Sequence, residues 1–332
     1  MRALVTGGGG FLGGAIVRRL VARGDRVLSL SRRRYPDLDA LGVAQRLGDV
    51  ADPRLVRDAV AGCDIVFHVA AKAGLGGRYG DYHRTNVTGT ENVLEACRRE
   101  GVRRLVYTSS PSVVFDGRDM EGVNESVPYP PRYQSPYPQT KALAERLVRS
   151  GNGRDLATVA LRPHLIWGPG DNHLVPRILA RARAGRLRRI GRKSPLIDST
   201  FIDNAADAHL LAGDRLSPGC PLAGRVYFVS NGEPLQLWDL VNRILAAAGL
   251  DPVTRCVPFG VAYAAGWVLE SANKLLSGDR EPAMTRFLAR ELSTAHWFDI
   301  AAARRDLGYT PNVTTKEGLR RLTAHFKSDL AR

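Results

Sequence analysis

The sequence predicts an α/β protein built on a doubly wound parallel sheet, with a smaller, mostly C-terminal α/β lobe. Three observations lead there. Strand-length apolar runs alternate with helix-length amphipathic stretches over residues 1–165. A cluster of glycines stands between the first such run and the first helix. The alternation then breaks up after Arg162-Pro163 into turn-rich and helical stretches. Strands that alternate with helices pair in parallel, because each crossover helix returns the chain to the same edge.

The first strand is predicted over 2–5 and the first helix over 11–23, with Leu12, Ile16, Val17, Leu20 and Val21 on its apolar face. Between them runs Thr6-Gly7-Gly8-Gly9-Gly10-Phe11-Leu12-Gly13. Gly7, Gly10 and Gly13 have separate tasks: a tight turn, an open approach for a pyrophosphate, and close packing of helix on strand. The helix N-terminus adds unpaired N–H donors and a partial positive charge. Glycine spacing alone is weak evidence. The preceding strand, the following helix and a second strand at 26–31 turn it into a dinucleotide site, with Gly7, Gly10, Phe11, Leu12 and Gly13 along the phosphates.

The second strand ends Ser31-Arg32-Arg33-Arg34. An NAD site usually carries an acid here for the ribose 2′-hydroxyl; arginine instead suits a 2′-phosphate. NADPH/NADP+ is therefore expected, with Ser31, Arg32 and Arg33 nearest that phosphate; the plainer reading is an arginine-rich surface loop. Asp49 and Val50, after a short third strand, are expected at the adenine edge. A helix over 53–61 and a strand over 64–69 follow, the strand leading into Ala70 and Ala71 near phosphate and ribose. His68 in that strand reads as a packed residue. A helix over 84–100, a strand over 104–109, a helix over 136–150 and a strand over 158–162 complete the alternation.

The catalytic signal is Tyr137-Pro138-Gln139-Thr140-Lys141. Residues four apart on a helix share a face, and Ser135-Pro136 reads as an N-cap followed by proline at the first helical position. A neighbouring ammonium and an oxidised nicotinamide both favour the phenolate; in the reductive direction the same phenol donates its proton to a carbonyl oxygen. The strand Leu105-Val106-Tyr107-Thr108-Ser109-Ser110 should bring a hydroxyl to the crevice beyond its carboxyl end. Ser110 is the choice for holding the substrate oxygen and Ser109 the reserve.

The rest of the chain bounds the function. The four cysteines lie far apart without a C-x-x-C pair, which argues against zinc and against a disulfide framework. The first residues are already a core strand rather than a signal peptide, so a cytoplasmic location is expected. The net charge of +15 is large, but only six of the 48 basic residues are lysine, and no nucleic-acid motif accompanies them. Part of the excess is an acid-free stretch with Arg177, Arg181, Arg183, Arg186, Arg188, Arg189, Arg192 and Lys193. That stretch is either a solvated face or a site for an anionic substrate, lipid surface or acidic partner. Residues 257–269 are apolar throughout, too short to span a bilayer, and read as core packing, a lid over alkyl chains, or a peripheral membrane or partner contact. Further helical patterns lie near 235–248, 259–276 and 281–292. The expected division is a cofactor domain over 1–165 with a returning segment at about 199–213, and a substrate lobe from 166–198 and 214–332.

The glycine stretch, Tyr107-Thr108-Ser109-Ser110, Tyr137-x-x-x-Lys141, Arg162-Pro163 and Phe201-Ile202-Asp203-Asn204 together resemble the extended short-chain dehydrogenase/reductases, whose cofactor fold is of the Rossmann type. The similarity runs to Leu307-Gly308-Tyr309-Thr310-Pro311. The segment from Tyr107 through Ser112-Val113-Val114-Phe115-Asp116-Gly117 is similar to the 3β-hydroxysteroid dehydrogenase branch. Within it, the chain looks most like the bacterial 2-alkyl-3-oxoalkanoate reductases of long-chain olefin biosynthesis. The resemblance implies Ser110, Tyr137 and Lys141 as the catalytic triad, Asn86 as the asparagine whose backbone holds a water near the lysine, and Pro163 among the cofactor contacts. It implies a homodimer, association with other olefin-pathway enzymes, and a lipid-like β-keto acid as substrate. Sterol dehydrogenation and nucleotide-sugar epimerisation stay as alternatives. No metal is implied. On this basis a basic group of 177–193 such as Arg192, or His164 or His173, is expected to meet the substrate carboxylate.

Overall fold

In a computed structural model, residues 1–74, 76–275 and 282–330 are described. The first half alternates as expected: β1 (Arg2–Thr6), α1 (Phe11–Ala22), β2 (Arg26–Ser31), α2 (Pro36–Ala40), β3 (Ala44–Leu47), α3 (Pro53–Val60) and β4 (Ile65–His68). A long helix then runs in three parts: α4 (Tyr79–His83), a π-helical turn at Arg84–Thr88, and α5 (Gly89–Arg99). After it come β5 (Arg104–Thr108), β6 (Met120–Val123), α6 (Pro136–Ser150) and β7 (Ala157–Pro163). The remainder is β8 (Ile166–Trp167), α7 (Leu174–Arg183), β9 (Arg189–Ile190), β10 (Leu196–Ile197), β11 (Thr200–Phe201), α8 (Ile202–Arg215) and β12 (Val226–Val229). It closes with β13 (Leu235–Gln236), α9 (Leu237–Ala247), β14 (Cys256–Val257), α10 (Phe259–Leu275), α11 (Arg286–Glu291), β15 (His296–Phe298), α12 (Ala301–Leu307) and α13 (Thr315–Leu330).

Seven strands form one sheet in the order β12-β7-β5-β4-β1-β2-β3, every neighbour parallel. The central strands are buried on both faces, which is why β4 and β7 read as apolar or small-residue runs rather than alternating ones, interrupted only by His68 and Arg162. The strand order reverses between β1 and β4, so the crevice beyond their carboxyl ends opens between the glycine loop and residues 68–71. Helix α8 returns to the sheet and packs on α1, where Arg19 reaches Asp203 at 2.9 Å and Asp207 at 2.5 Å.

A second, four-stranded sheet has the order β13-β10-β15-β6. Two strands cross the expected division. β12 lies within 214–332 but extends the large sheet beside β7; β6 lies within 1–165 but pairs with β15. Both are four-residue strands, too short to show a period, and their partners are distant in sequence.

Two helix starts also differ from expectation. The helix expected over 281–292 begins at Arg286, where the Thr285 hydroxyl accepts from the Leu288 N–H at 3.0 Å; residue 281 lies outside the described residues. Helix α6 does begin after Ser135 with proline at its first position, but the Ser135 hydroxyl makes no cap bond and is buried without a partner among the described residues. Pro136, with its fixed φ, therefore sets the start of α6.

Candidate active site

The glycine loop is shaped for close approach. Gly7 has φ +70°, and a Cβ there would lie 3.0 Å from the Ala70 Cα. A Cβ on Gly13 would lie 2.1 Å from the Gly7 carbonyl oxygen, a backbone atom that cannot swing aside. Gly10 precedes the first turn of α1, so the N–H groups of Phe11, Leu12 and Gly13 open toward the loop while the Leu12 side chain is buried in the core. A pyrophosphate fits such a cradle, since its walls are backbone donors that side chains would cover.

At the end of β2, Ser31 is buried and its Oγ lies 3.5 Å from the Gly9 N–H. Arg34 is paired with Asp39 at 2.8 Å. Arg32 and Arg33 are exposed and form no ion pair among the described residues; Arg33 lies over the Tyr35 ring, 5.0 Å from its centre. Tyr35 in turn covers Gly9, where any Cβ would strike its ring. The Asp49 carboxylate accepts from the Ala51 N–H and meets Arg84 at 3.2 Å, and Val50 is buried against Gly89. The Ala70 N–H donates to the Thr6 hydroxyl at 3.1 Å, and Ala71 follows at the same edge.

The other candidate residues meet at the carboxyl edge of β5. Ser110 and Tyr137 line one cavity of about 650 Å³, and Pro163 lines it too. Ser109 does not; its hydroxyl is buried without a hydrogen-bond partner among the described residues. The Ser110 hydroxyl lies 2.9 Å from that of Ser112 and accepts from the Ser112 N–H at 3.2 Å. One turn along α6 from Tyr137, Lys141 is buried. Its Nζ donates to the Thr108 carbonyl at 2.5 Å and sits 4.2 Å from the centre of the Tyr107 ring.

Burial governs the electrostatics. It brings the Lys141 ammonium down to about 7, against the opposing pull of the Glu145 charge. It raises the Tyr137 phenol, and the hydrogen bond from Ser110 only partly offsets this. The lowering of that phenol expected from the neighbouring ammonium is absent in the chain alone. Lys141 is turned to Thr108 and Tyr107, and the desolvation of a phenolate outweighs what Ser110 returns. A raised phenol holds its proton at neutral pH, as a proton donor must.

The cavity wall is mainly aliphatic and aromatic. Helix α10 contributes Val261, Ala262 and Ala265 while leaving Trp267 and Val268 more than half exposed, so the apolar stretch 257–269 is both wall and surface. His164, His173, Arg177, Arg181, Arg186 and Arg188 reach the lining; Arg192 is exposed and does not. No helix among the described residues is long and apolar enough to cross a membrane.

Residues 4–259 match the model of the 3-beta hydroxysteroid dehydrogenase/isomerase family. The chain belongs to that family. Among its relatives is a 2-alkyl-3-oxoalkanoate reductase of Stenotrophomonas maltophilia, 54% identical over 98% of this chain and 99% of that one. A second protein of that name, from Shewanella oneidensis, is 50% identical over 97% of this chain and 85% of its own length. Among solved structures, the Thermus thermophilus UDP-glucose 4-epimerase in complex with NAD superposes with a TM-score of 0.72. It is 26% identical and covers 98% of this chain and 99% of its own. The family is nicotinamide-dependent, and its fold is the doubly wound Rossmann arrangement seen here.

This member of the family holds its active-site edge with two buried networks that sequence reasoning did not single out. Glu145, one turn beyond Lys141, is fully buried and binds Arg162 of β7 through Oε2 to Nε at 2.9 Å and Oε1 to Nη2 at 2.6 Å; Tyr129 donates to the same carboxylate at 2.6 Å. The i, i+4 continuation of Tyr137 and Lys141 was the available signal. The second network explains His68. The Thr6 hydroxyl accepts from the Val69 and Ala70 N–H groups, so its proton goes to His68 Nδ1 at 2.7 Å. The Nε2–H then donates to Thr90 at 3.0 Å, and the Thr90 hydroxyl donates to the Asn86 carbonyl at 2.6 Å. Burial, with the Lys141 charge, takes His68 down to about 3, so it stays neutral as this chain requires. The Asn86 side chain is spent on Lys72 and Thr140, so its carbonyl, in the π-helical turn, is the group that ends the chain from His68.

Proposed function

We propose that the chain is an NADPH-dependent ketoreductase that interconverts a 2-alkyl-3-oxoalkanoate and the 2-alkyl-3-hydroxyalkanoate, in long-chain olefin biosynthesis. The observation that carries this reading is the placement of Tyr137 and Ser110 side by side in one large apolar cavity, with Lys141 buried behind them. The relatives from Stenotrophomonas and Shewanella, whose names specify this substrate, support it over nearly the whole chain.

Gly7, Gly10, Phe11, Leu12 and Gly13 would hold the pyrophosphate, Ser31, Arg32 and Arg33 the 2′-phosphate, and Asp49, Val50, Ala70, Ala71 and Pro163 the adenine and ribose-nicotinamide edges. Bound there, reduced nicotinamide supplies a hydride to the substrate ketone. Ser110 orients the ketone oxygen, and Tyr137 gives it a proton as the alkoxide forms. Lys141, held by the Thr108 carbonyl in the chain alone, would turn toward the phenol to put its charge there as that proton leaves. The aliphatic wall excludes water and receives the alkyl chains. A β-keto acid loses carbon dioxide readily, and reduction of its ketone protects the carboxylate.

The cofactor half of this reading is 1–165 and about 199–213, joined by Val226–Val229 and lending Met120–Val123 to the substrate lobe. A homodimer, a cytoplasmic location and contact with other enzymes of the pathway belong to the same reading. Oxidation of a 3β-hydroxysteroid is a second reading, favoured by the same apolar wall. A nucleotide-sugar needs a polar pocket and is disfavoured by it. NADP+ reduction with a long-chain 2-alkyl-3-hydroxy acid, a 3β-hydroxysteroid and a UDP-sugar in parallel separates the three. Turnover of the hydroxy acid alone is expected; turnover of the UDP-sugar alone would overturn the proposal.

A further inference from the structure

Gly8 and Gly9 stand between the fingerprint positions Gly7 and Gly10 and have no task in it. The fold gives Gly9 one. A Cβ there would lie 2.0 Å from Cδ2 and 2.1 Å from Cε2 of Tyr35, so the phenol ring fills the space that a side chain would take. The ring therefore lies directly on the backbone of the loop between β1 and α1. The same glycine is tied to the end of β2, its N–H lying 3.5 Å from the Ser31 Oγ.

Tyr35 is held in that seat from several sides. It stands between β2 and α2, half-buried and packed against the core. One carboxamide of β3 takes both of its backbone groups: Gln45 Oε1 accepts from the Tyr35 N–H at 2.9 Å, and Gln45 Nε2 donates to the Tyr35 carbonyl at 3.0 Å. That carbonyl also accepts from the Leu38 N–H at 3.0 Å. Gln45 in turn lies beside Ser29 of β2 in the large sheet, so the seat is continuous with the rigid part of the fold.

This arrangement sorts three arginines that look alike in sequence. Arg34 is tied to Asp39 by two hydrogen bonds, at 2.8 and 2.9 Å. Arg32 is exposed and has no ion pair among the described residues. Arg33 is exposed too, but its guanidinium lies over Tyr35, 5.0 Å from the ring centre. One ring thus touches the glycine loop and Arg33 together. The way the two arginines are held decides what each can do. A carboxylate partner, as Arg34 has, competes with a phosphate for the same fork of N–H groups. An aromatic partner attracts the charge and restricts a long side chain without occupying those donors.

We propose that Tyr35 is a positioning residue for coenzyme choice: seated on Gly9, it holds Arg33 beside the glycine loop for the 2′-phosphate of NADPH. The assignment rests on the NADPH reading of the β2 end. Tyr35 acts through Arg33, so its effect falls on the coenzyme that carries the extra phosphate. The ring, and not the hydroxyl, is the part that acts.

The test needs no turnover. Fluorescence titration gives the dissociation constants of NADPH and NADH, and calorimetry those of adenosine 2′,5′-bisphosphate and 5′-AMP, which differ only in the 2′-phosphate. The proteins are the wild type, Tyr35→Phe, Tyr35→Leu, Arg33→Ala and the double variant of Arg33→Ala with Tyr35→Leu. Tyr35→Leu should weaken NADPH and the bisphosphate about two- to fivefold, the scale of an exposed cation–π contact. NADH and 5′-AMP should bind it as they bind the wild type, which also shows that it is folded. Tyr35→Phe should match the wild type with all four ligands. In the Arg33→Ala background, Tyr35→Leu should cause no further loss of NADPH, because the group it positions is gone. A ring that merely supported the loop would weaken both coenzymes, and would do so with or without Arg33. Equal losses for NADPH and NADH, no loss in Tyr35→Leu, a loss in Tyr35→Phe as large as in Tyr35→Leu, or additive losses in the double variant would each overturn the assignment while the wild type still prefers NADPH. A wild type that binds NADH more tightly than NADPH would overturn the NADPH reading itself, and this assignment with it.

Discussion

Replacing Glu145 by glutamine tests how the catalytic helix is held. The wild-type carboxylate is fully buried and meets Arg162 through two hydrogen bonds, at 2.6 and 2.9 Å, with a third from Tyr129. Glutamine keeps the shape but removes the charge, leaving the Arg162 guanidinium buried beside a neutral amide that can still accept one bond. Breaking a buried pair from one side costs about 3–5 kcal/mol, and the lower end applies because one acceptor survives. Against a total stability of about 5–15 kcal/mol, this is a large loss. Urea unfolding should show a lower midpoint with an unchanged slope. A pH effect accompanies it. Burial, the largest influence, acts to raise the Glu145 carboxyl, but Arg162 overcomes it and holds the group below its ordinary range. The stabilisation is therefore present above the ordinary carboxylate value and lost as pH falls through the depressed native one. The glutamine variant should lack that acid-side loss. Glu145 also supplies the upward pull on Lys141, so the variant's alkaline activity limb should move to lower pH. A loss under about 1 kcal/mol together with an unmoved limb would refute this reasoning.

Gly13→Ala should destabilise by about 1–3 kcal/mol, despite the better helix former, because its Cβ meets the Gly7 carbonyl at 2.1 Å. It should also weaken cofactor binding; Gly80→Ala, in α4 with open space around it, should instead stabilise by about 0.5–1 kcal/mol in thermal unfolding. Arg33→Ala should weaken NADPH about tenfold or more and leave NADH nearly unaffected, as fluorescence titration of each cofactor would report. An equal effect on both cofactors would remove Arg33 from the 2′-phosphate.

The sheet and the glycine loop were legible because their signals are local. A buried parallel strand is a short apolar run, and Gly7, Gly10 and Gly13 lie within one turn of chain. Tyr137 and Lys141 were legible because helix geometry puts residues four apart on one face. The Glu145–Arg162 pair joins a helix to a strand, and nothing in either segment names its partner. Glu291 was hidden for the same reason: α11 is short, and only the fold brings it to the cavity that Tyr137 also lines. The basic stretch misled in part, since charge density along the sequence does not tell Arg188, in the lining, from Arg192, outside it. Ser135 had the right residue type and position for a cap, yet its hydroxyl is not used.

The most direct measurement is the turnover of Tyr137→Phe with NADPH affinity measured on the same preparation. The account predicts that kcat falls about 10²–10⁴-fold while the cofactor dissociation constant stays within about twofold, because the hydroxyl donates a proton and does not build the cradle. Full turnover in that variant would contradict it.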